Sequence, residues 1–292
     1  MGHKPFRIIA DYFARKGVAV LRFDKRGVGK STGDFATATT EDFARDVSAA
    51  IQYLKGLEEI NPKKIGLIGH SEGGLICSIV ASKSKDVAFI VIMAGPLLSG
   101  VKNASLVFTL LVNEDKSQIQ NFGEDKRLFD KFFDIVSQKK LTKKDKQESY
   151  EIAKKMLPRI NKNTKEALGF SQVTPEIFVN IFSMRWMHEF LNNHPESSLI
   201  KVKCPIFAIY GEKDVQVPPK ENINAIATIL KRRKNLDFTI KEIPNVNHLF
   251  QYCKTGYPSE YEVNKQTMVP EALNTIHTVS YTHLTLPTTP YV

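Results

Sequence analysis

Two hydrophobic rhythms divide the chain. Phe6, Ile9, Ala10 and Phe13 recur with helical spacing, so a helix is predicted over Met1 to Lys16, stopped by Gly17. The apolar run Val18-Ala19-Val20-Leu21-Arg22-Phe23 reads as a strand buried on both faces, the kind used in parallel sheets. After a turn-rich loop, Phe43, Val47, Ala50, Ile51 and Leu54 form the buried stripe of a helix over Glu41 to Leu57, with Thr40 as its expected N-cap. Asn61-Pro62 breaks the chain before a short apolar strand at Ile65 to Ile68 and a second helical stretch. Val87 to Ala94 is another fully apolar strand. Strands alternating with helices place the chain in the α/β class with a mostly parallel sheet.

Between Leu98 and Leu199 the rhythm changes, and no segment has the pattern of a buried strand. Phe129, Phe132, Phe133 and Val136 make one helical face; Ile177, Phe178, Ile181, Phe182 and Trp186 make another. This region is predicted to be a helical insertion lying over the carboxyl edge of the sheet, as a cap covers a substrate pocket. The α/β rhythm resumes with a strand at Cys204 to Gly211, a helix at Glu221 to Arg232 and a strand at Asp237 to Ile243. The expected organisation is therefore a core in two parts, 1–97 and 201–277, a cap of 98–200 and a tail of 278–292. The final helix is expected to start at Pro270 and to be cut off near Ile276. The Thr- and Pro-rich tail has no charged side chain and reads as disordered and foreign to the fold.

With 292 residues and 42% hydrophobic positions, the chain can bury a full core. No apolar run is long enough to cross a bilayer, so no membrane association is expected. No charged-then-apolar leader opens this reading frame, which gives a cytoplasmic expectation for the chain as it stands; the compartment of a longer parent is left open. A formal net charge of +10 raises the question of a nucleic-acid partner. The excess is concentrated from Lys139 to Lys165, where Tyr150 is the sole aromatic, so a solvated helical face is expected and no nucleic acid. Cys77, Cys204 and Cys253 lack metal-ligand spacing and imply neither a disulfide framework nor a metal site; no cofactor is expected.

Chemistry enters at Gly69-His70-Ser71-Glu72-Gly73, a Gly-x-Ser-x-Gly segment between a strand and a helix. A serine on so sharp a turn takes a strained backbone conformation that presents its Oγ, and a Cβ at 69 or 73 is expected to crowd it. The backbone N–H of Glu72, at the helix N-terminus, can face a developing oxyanion. Asp214 lies just past one later strand and His248 just past the next, and such loops converge on the crevice of an α/β sheet. The three therefore fit a triad: Ser71 as nucleophile, His248 as base, Asp214 orienting the imidazole. Glu212 is a weaker candidate for the acid, and His70 is expected to pack or hydrogen-bond beside the elbow. Gly27-Val28-Gly29-Lys30-Ser31-Thr32 superficially invites a nucleotide reading, but a P-loop needs glycine where Asp24 stands. Asp24 and Arg26, with Gly27 and Gly29, are instead expected to organise a structural loop beside the pocket.

Arg22 to Ser31, Gly69 to Gly73, Gly211-Glu212-Lys213-Asp214 and Asn247-His248 together resemble α/β-hydrolase-fold serine esterases. The similarity is to bacterial carboxylesterases of the serine aminopeptidase (Hydrolase_4) type and extends over about Gly2 to Ile276. It implies a small-molecule ester substrate and an acyl-enzyme mechanism on Ser71, Asp214 and His248, with aminopeptidase, thioesterase and non-catalytic binding protein as alternatives. It also implies strands ahead of the first helix, because the chain opens on what looks like the middle of that family's sequence. The third such strand would sit between Val18–Phe23 and the elbow strand, and the loop after it would supply the second oxyanion donor. The expected consequence is a gap in the sheet or direct pairing across it, and a polypeptide that is poorly stable and weakly active by itself.

Overall fold

The computed structural model describes residues 2–114, 122–232 and 237–285. Its frame is a sheet of four strands, β1 (Gly66–His70), β2 (Phe89–Met93), β3 (Ile206–Gly211) and β4 (Phe238–Ile243), in the spatial order β1-β2-β3-β4. All three pairings are parallel. Every strand consequently ends at the same edge, and the loops after His70, Gly211 and Ile243 meet there.

The central strands are buried on both faces, which explains their unbroken apolar sequence. Ile90, Ile92, Ala208 and Tyr210 point into one core shared with helices α2 (Thr40–Lys55), α3 (Glu72–Lys83) and α11 (Pro219–Lys231). Val91, Met93, Phe207 and Ile209 point into the other, closed by α1 (Pro5–Ala14) and α12 (Pro270–Thr285). This is the three-layer arrangement that a parallel sheet demands.

Between β2 and β3 the chain forms α4 (Gly100–Val112), α5 (Phe122–Val136), α6 (Lys143–Met156), α7 (Lys162–Ala167), α8 (Pro175–Ser183), α9 (Arg185–Leu191) and α10 (Glu196–Leu199), with no strand among the described residues. These helices bury a cluster of their own, in which Phe108, Phe129, Phe132, Phe133, Phe178 and Phe182 stack and cross edge to face. Lys139, Lys140, Lys143, Lys144, Lys146, Lys154, Lys155 and Lys162 are exposed, as a solvated face requires. Arg159 departs from that pattern: it pairs with the buried carboxylate of Asp125.

Three expectations need correction. Val18 to Phe23 has no regular secondary structure and belongs to no ladder among the described residues, and Val20, Leu21 and Phe23 are 41%, 40% and 50% exposed. Strand structure requires a neighbouring backbone, and here the nearest edge, β1, lies across a cleft of about 580 Å³ that both segments line. The cap of α2 is Thr39, not Thr40, because Asp42 then falls at the third helical position and closes a reciprocal box: Asp42 N–H donates to Thr39 Oγ1 at 3.3 Å and Thr39 N–H to Asp42 Oδ2 at 2.9 Å. Finally, α12 does not stop near Ile276. Nothing from Thr278 to Thr285 breaks a helix, and Val279 and Ser280 find burial, so it runs on to Thr285; residues 286–292 of the expected tail lie outside the described residues.

Candidate active site

Ser71 joins β1 to α3 with φ 55° and ψ −121°, a conformation that costs a non-glycine residue about 1–3 kcal/mol. The turn is clamped on both sides: Ser71 N–H donates to the carbonyl of Met93 at 2.8 Å, and its own carbonyl accepts from Gly74 N–H at 2.9 Å. A Cβ on Gly69 would stand 2.1 Å from the carbonyl oxygen of Gly73, so position 69 must be glycine. Position 73 differs from expectation, because a Cβ there meets nothing within 4 Å. Glu72 is the first residue of α3, so its N–H has no partner within the helix and is available to an anion.

The loops after β3 and β4 bring Asp214 and His248 together. Asp214, 2% exposed, accepts at Oδ1 from the backbone N–H groups of Gln216 and Val217, both at 2.8 Å. Its Oδ2 lies 2.8 Å from His248 Nδ1, which therefore carries the proton and leaves Nε2 as the basic nitrogen. Glu212 lies outside this pair: it accepts from Asn245 N–H at 2.7 Å and braces the loop.

The loop holding His248 is a tight reversal. Asn247 Oδ1 accepts from Leu249 and Gln251 N–H, each at 3.0 Å, and Asn245 and Phe250 both take positive φ. Gly211 lets the end of β3 pass beneath it, since a Cβ there would lie 2.5 Å from the carbonyl oxygen of Val246. Asn247 thus positions His248, a role that a single Asn before His did not signal in the sequence.

His70 is a neighbour of this site and not its base. Its Nε2 donates to the carbonyl of His248 at 2.8 Å, and the two rings lie 4.6 Å apart. Burial, reinforced by His248, pushes the His70 imidazole down to about 3, so it stays neutral. Because His70 directly precedes Ser71, this contact ties the loop of His248 to the end of the strand that carries the elbow. Among the described residues no hydrogen bond yet joins Ser71 Oγ to His248; such bonds often tighten only around substrate.

The loop of Asp24 to Gly33 packs beside the elbow. Arg26 makes a fork to Asp46, with Nε to Oδ2 at 2.8 Å, and reaches the carbonyl of Asp42 at 3.2 Å. Gly27 and Gly29 have φ of 72° and 59°, and a Cβ on Gly29 would collide with the Asp24 carboxylate. The loop holds these residues as structural members. No group of three or more His, Cys, Asp or Glu among the described residues is placed to hold a metal ion.

A parallel sheet whose carboxyl edge carries a strained serine elbow, with an Asp–His pair on the next loops, defines an α/β-hydrolase. The chain belongs to the Hydrolase_4 family (serine aminopeptidase, S33), whose model matches residues 4–251. It is 20% identical over 265 residues to the esterase EstD of Thermotoga maritima, covering 87% of this chain and 54% of EstD. It is 24% identical over 222 residues to a 31.7 kDa protein from the traX-finO intergenic region of Escherichia coli, covering 73% and 68%. In fold it is similar to the α/β hydrolase GrgF of Penicillium sp. sh18, with a TM-score of 0.55 at 17% identity over 96% of this chain and 85% of GrgF. The monoacylglycerol lipase of Paleococcus ferrophilus gives 0.51 at 17% identity over 97% and 91%.

Proposed function

We propose that the chain is a serine hydrolase that cleaves carboxylic esters through an acyl-enzyme on Ser71. The observation that carries this reading is the strained turn at Ser71 beside a buried Asp214–His248 pair joined at 2.8 Å. His248 Nε2 takes the proton of Ser71 as Oγ attacks the ester carbonyl. The tetrahedral oxyanion turns to the free N–H of Glu72. Collapse expels the alcohol, which receives the proton from His248, and water then repeats the sequence to release the acid. Asp214 keeps the imidazole in one tautomer and stabilises its cationic form. On this reading the helices between β2 and β3 form the cap, and the substrate is a small molecule.

The family's description as a serine aminopeptidase favours a second reading, cleavage of an N-terminal amide. That activity needs carboxylates gathered to hold the substrate α-amine. Four acids of this region are instead engaged with separate nearby side chains: Glu148 with Lys131, Glu151 with Gln147, Glu166 with Lys162, and Glu189 with Arg185. The basic cap therefore supports a neutral or mildly anionic ester.

A fluorophosphonate probe should label the purified chain at Ser71 and fail to label Ser71→Ala. Hydrolysis of p-nitrophenyl butyrate should exceed that of leucine p-nitroanilide. An unlabelled native chain would overturn the mechanism, whereas preference for the anilide would overturn only the ester assignment.

A further inference from the structure

Glu72 makes contacts that its place in the elbow does not require. Its carboxylate collects three donors from three separate elements. Oε1 accepts from Trp186 Nε1 on α9 at 2.9 Å and from Thr40 Oγ1 at the start of α2 at 2.9 Å. Oε2 accepts from Lys25 Nζ of the loop that follows Phe23, at 3.0 Å. The carboxylate side chain is 12% exposed, while the Lys25 side chain that reaches it is 46% exposed, so the bonds from Trp186 and Thr40 are the ones withdrawn from water. Each donor is itself held. Trp186 stacks on Phe190 with ring centroids 6.0 Å apart, and α9 packs on α2 and α4. The Lys25 ammonium sits 4.5 Å from the centre of the Phe43 ring.

A carboxylate beside the nucleophile opposes negative charge developing on the substrate, so it is an unfavourable choice for the oxyanion site alone. Its three donors offset that charge and turn the side chain into a tie. The backbone N–H of the same residue is the oxyanion donor, so whatever pulls on the Glu72 side chain also tilts that N–H.

We propose that Glu72 is a positioning residue that couples the cap to the oxyanion donor: with Trp186 bound to its carboxylate the N–H is aligned, and with Trp186 withdrawn it is not. This rests on the serine hydrolase reading above. Closure of the cap over a substrate would then complete the reacting site, and a chain with an undocked cap would bind ester but acylate slowly. Misalignment acts on the transition state and not on ground-state binding, so its signature is a fall in kcat with KM unchanged. A tryptophan that merely lines the pocket would give the opposite, a raised KM at constant kcat.

The chain's single tryptophan reports the contact directly. Four proteins decide the matter: native, Trp186→Phe, Glu72→Ala and Glu72→Gln, all assayed on p-nitrophenyl butyrate and with the fluorophosphonate. Trp186→Phe and Glu72→Ala should lower kcat about tenfold, part of the 10²–10³ that follows full loss of a donor, with KM within about twofold of native. Glu72→Gln keeps an acceptor oxygen for Trp186 and Thr40 and should restore most of the rate. Trp186 emission should shift to the red in Glu72→Ala and stay near native in Glu72→Gln. Raised KM at native kcat in Trp186→Phe, or unchanged emission in Glu72→Ala, overturns the coupling. Should the native chain resist the fluorophosphonate, the hydrolase reading falls and takes the coupling with it; the emission shift would then record only a structural tie.

Discussion

At the scale of single residues, the two elbow glycines serve different ends although the motif presents them as a pair. Gly69 is confined by the carbonyl of Gly73, whereas Gly73 faces open space in helical conformation. Gly69→Ala should therefore destabilise the chain severely or prevent folding. Gly73→Ala should leave stability unchanged or raise it by about 0.4–1 kcal/mol, since alanine restricts the unfolded chain and fits the helix. Urea midpoints of the two variants check this, and equal losses in both would show that the turn needs glycine at 73 as well. The sequence carried the placement of Ser71, Asp214 and His248 at one edge of the sheet, because each follows a segment whose pattern already reads as a strand. It did not carry Trp186, Thr40 or Lys25, whose meeting at Glu72 joins positions up to 161 residues apart (186 − 25) with no spacing to announce it.

At the scale of elements, local rules decide where helices begin and packing decides where they end. Thr39 and Asp42 close a capping box, so Thr39→Ala should cost about 1 kcal/mol of stability. Thr40→Ala removes no cap and should cost less, while releasing one donor from Glu72. Thermal unfolding of the two variants separates these roles; a larger loss for Thr40 would restore it as the cap. The sequence misplaced this start by one residue because two adjacent threonines compete, and Asp42 decides between them. It misplaced the end of α12 for a different reason. Composition made the stretch after His277 look foreign, but a helix needs only compatible backbone and a surface to bury against, which Val279 and Ser280 find. Val18 to Phe23 shows the converse. Its composition is that of a buried strand, yet a strand also needs a partner segment beside it, and composition does not show whether one is there.

At the scale of the whole molecule, the cleft beside β1 sets the stability. The sheet's elbow strand has one edge paired with β2 and none of its other edge in a ladder among the described residues. Across the cleft Val20 and Leu21 of the facing segment turn to solvent, while Phe6, Ile9, Ile65, Leu67 and Ile76 contribute further apolar surface to its walls. An opening of that kind withholds both backbone pairing and apolar burial from the strand that carries Ser71. The isolated chain should accordingly bind the dye anilinonaphthalene sulfonate with strong fluorescence while still folded, and should unfold at low urea. Leu21→Glu, which puts a charge on the exposed wall, should abolish much of the dye signal and leave the far-ultraviolet circular dichroism unchanged. A native chain that ignores the dye and unfolds cooperatively only at high urea would mean that the cleft closes in solution, with Val18 to Phe23 drawn against β1. The elbow strand would then be paired on both edges, and the expectation of a poorly stable chain would fail.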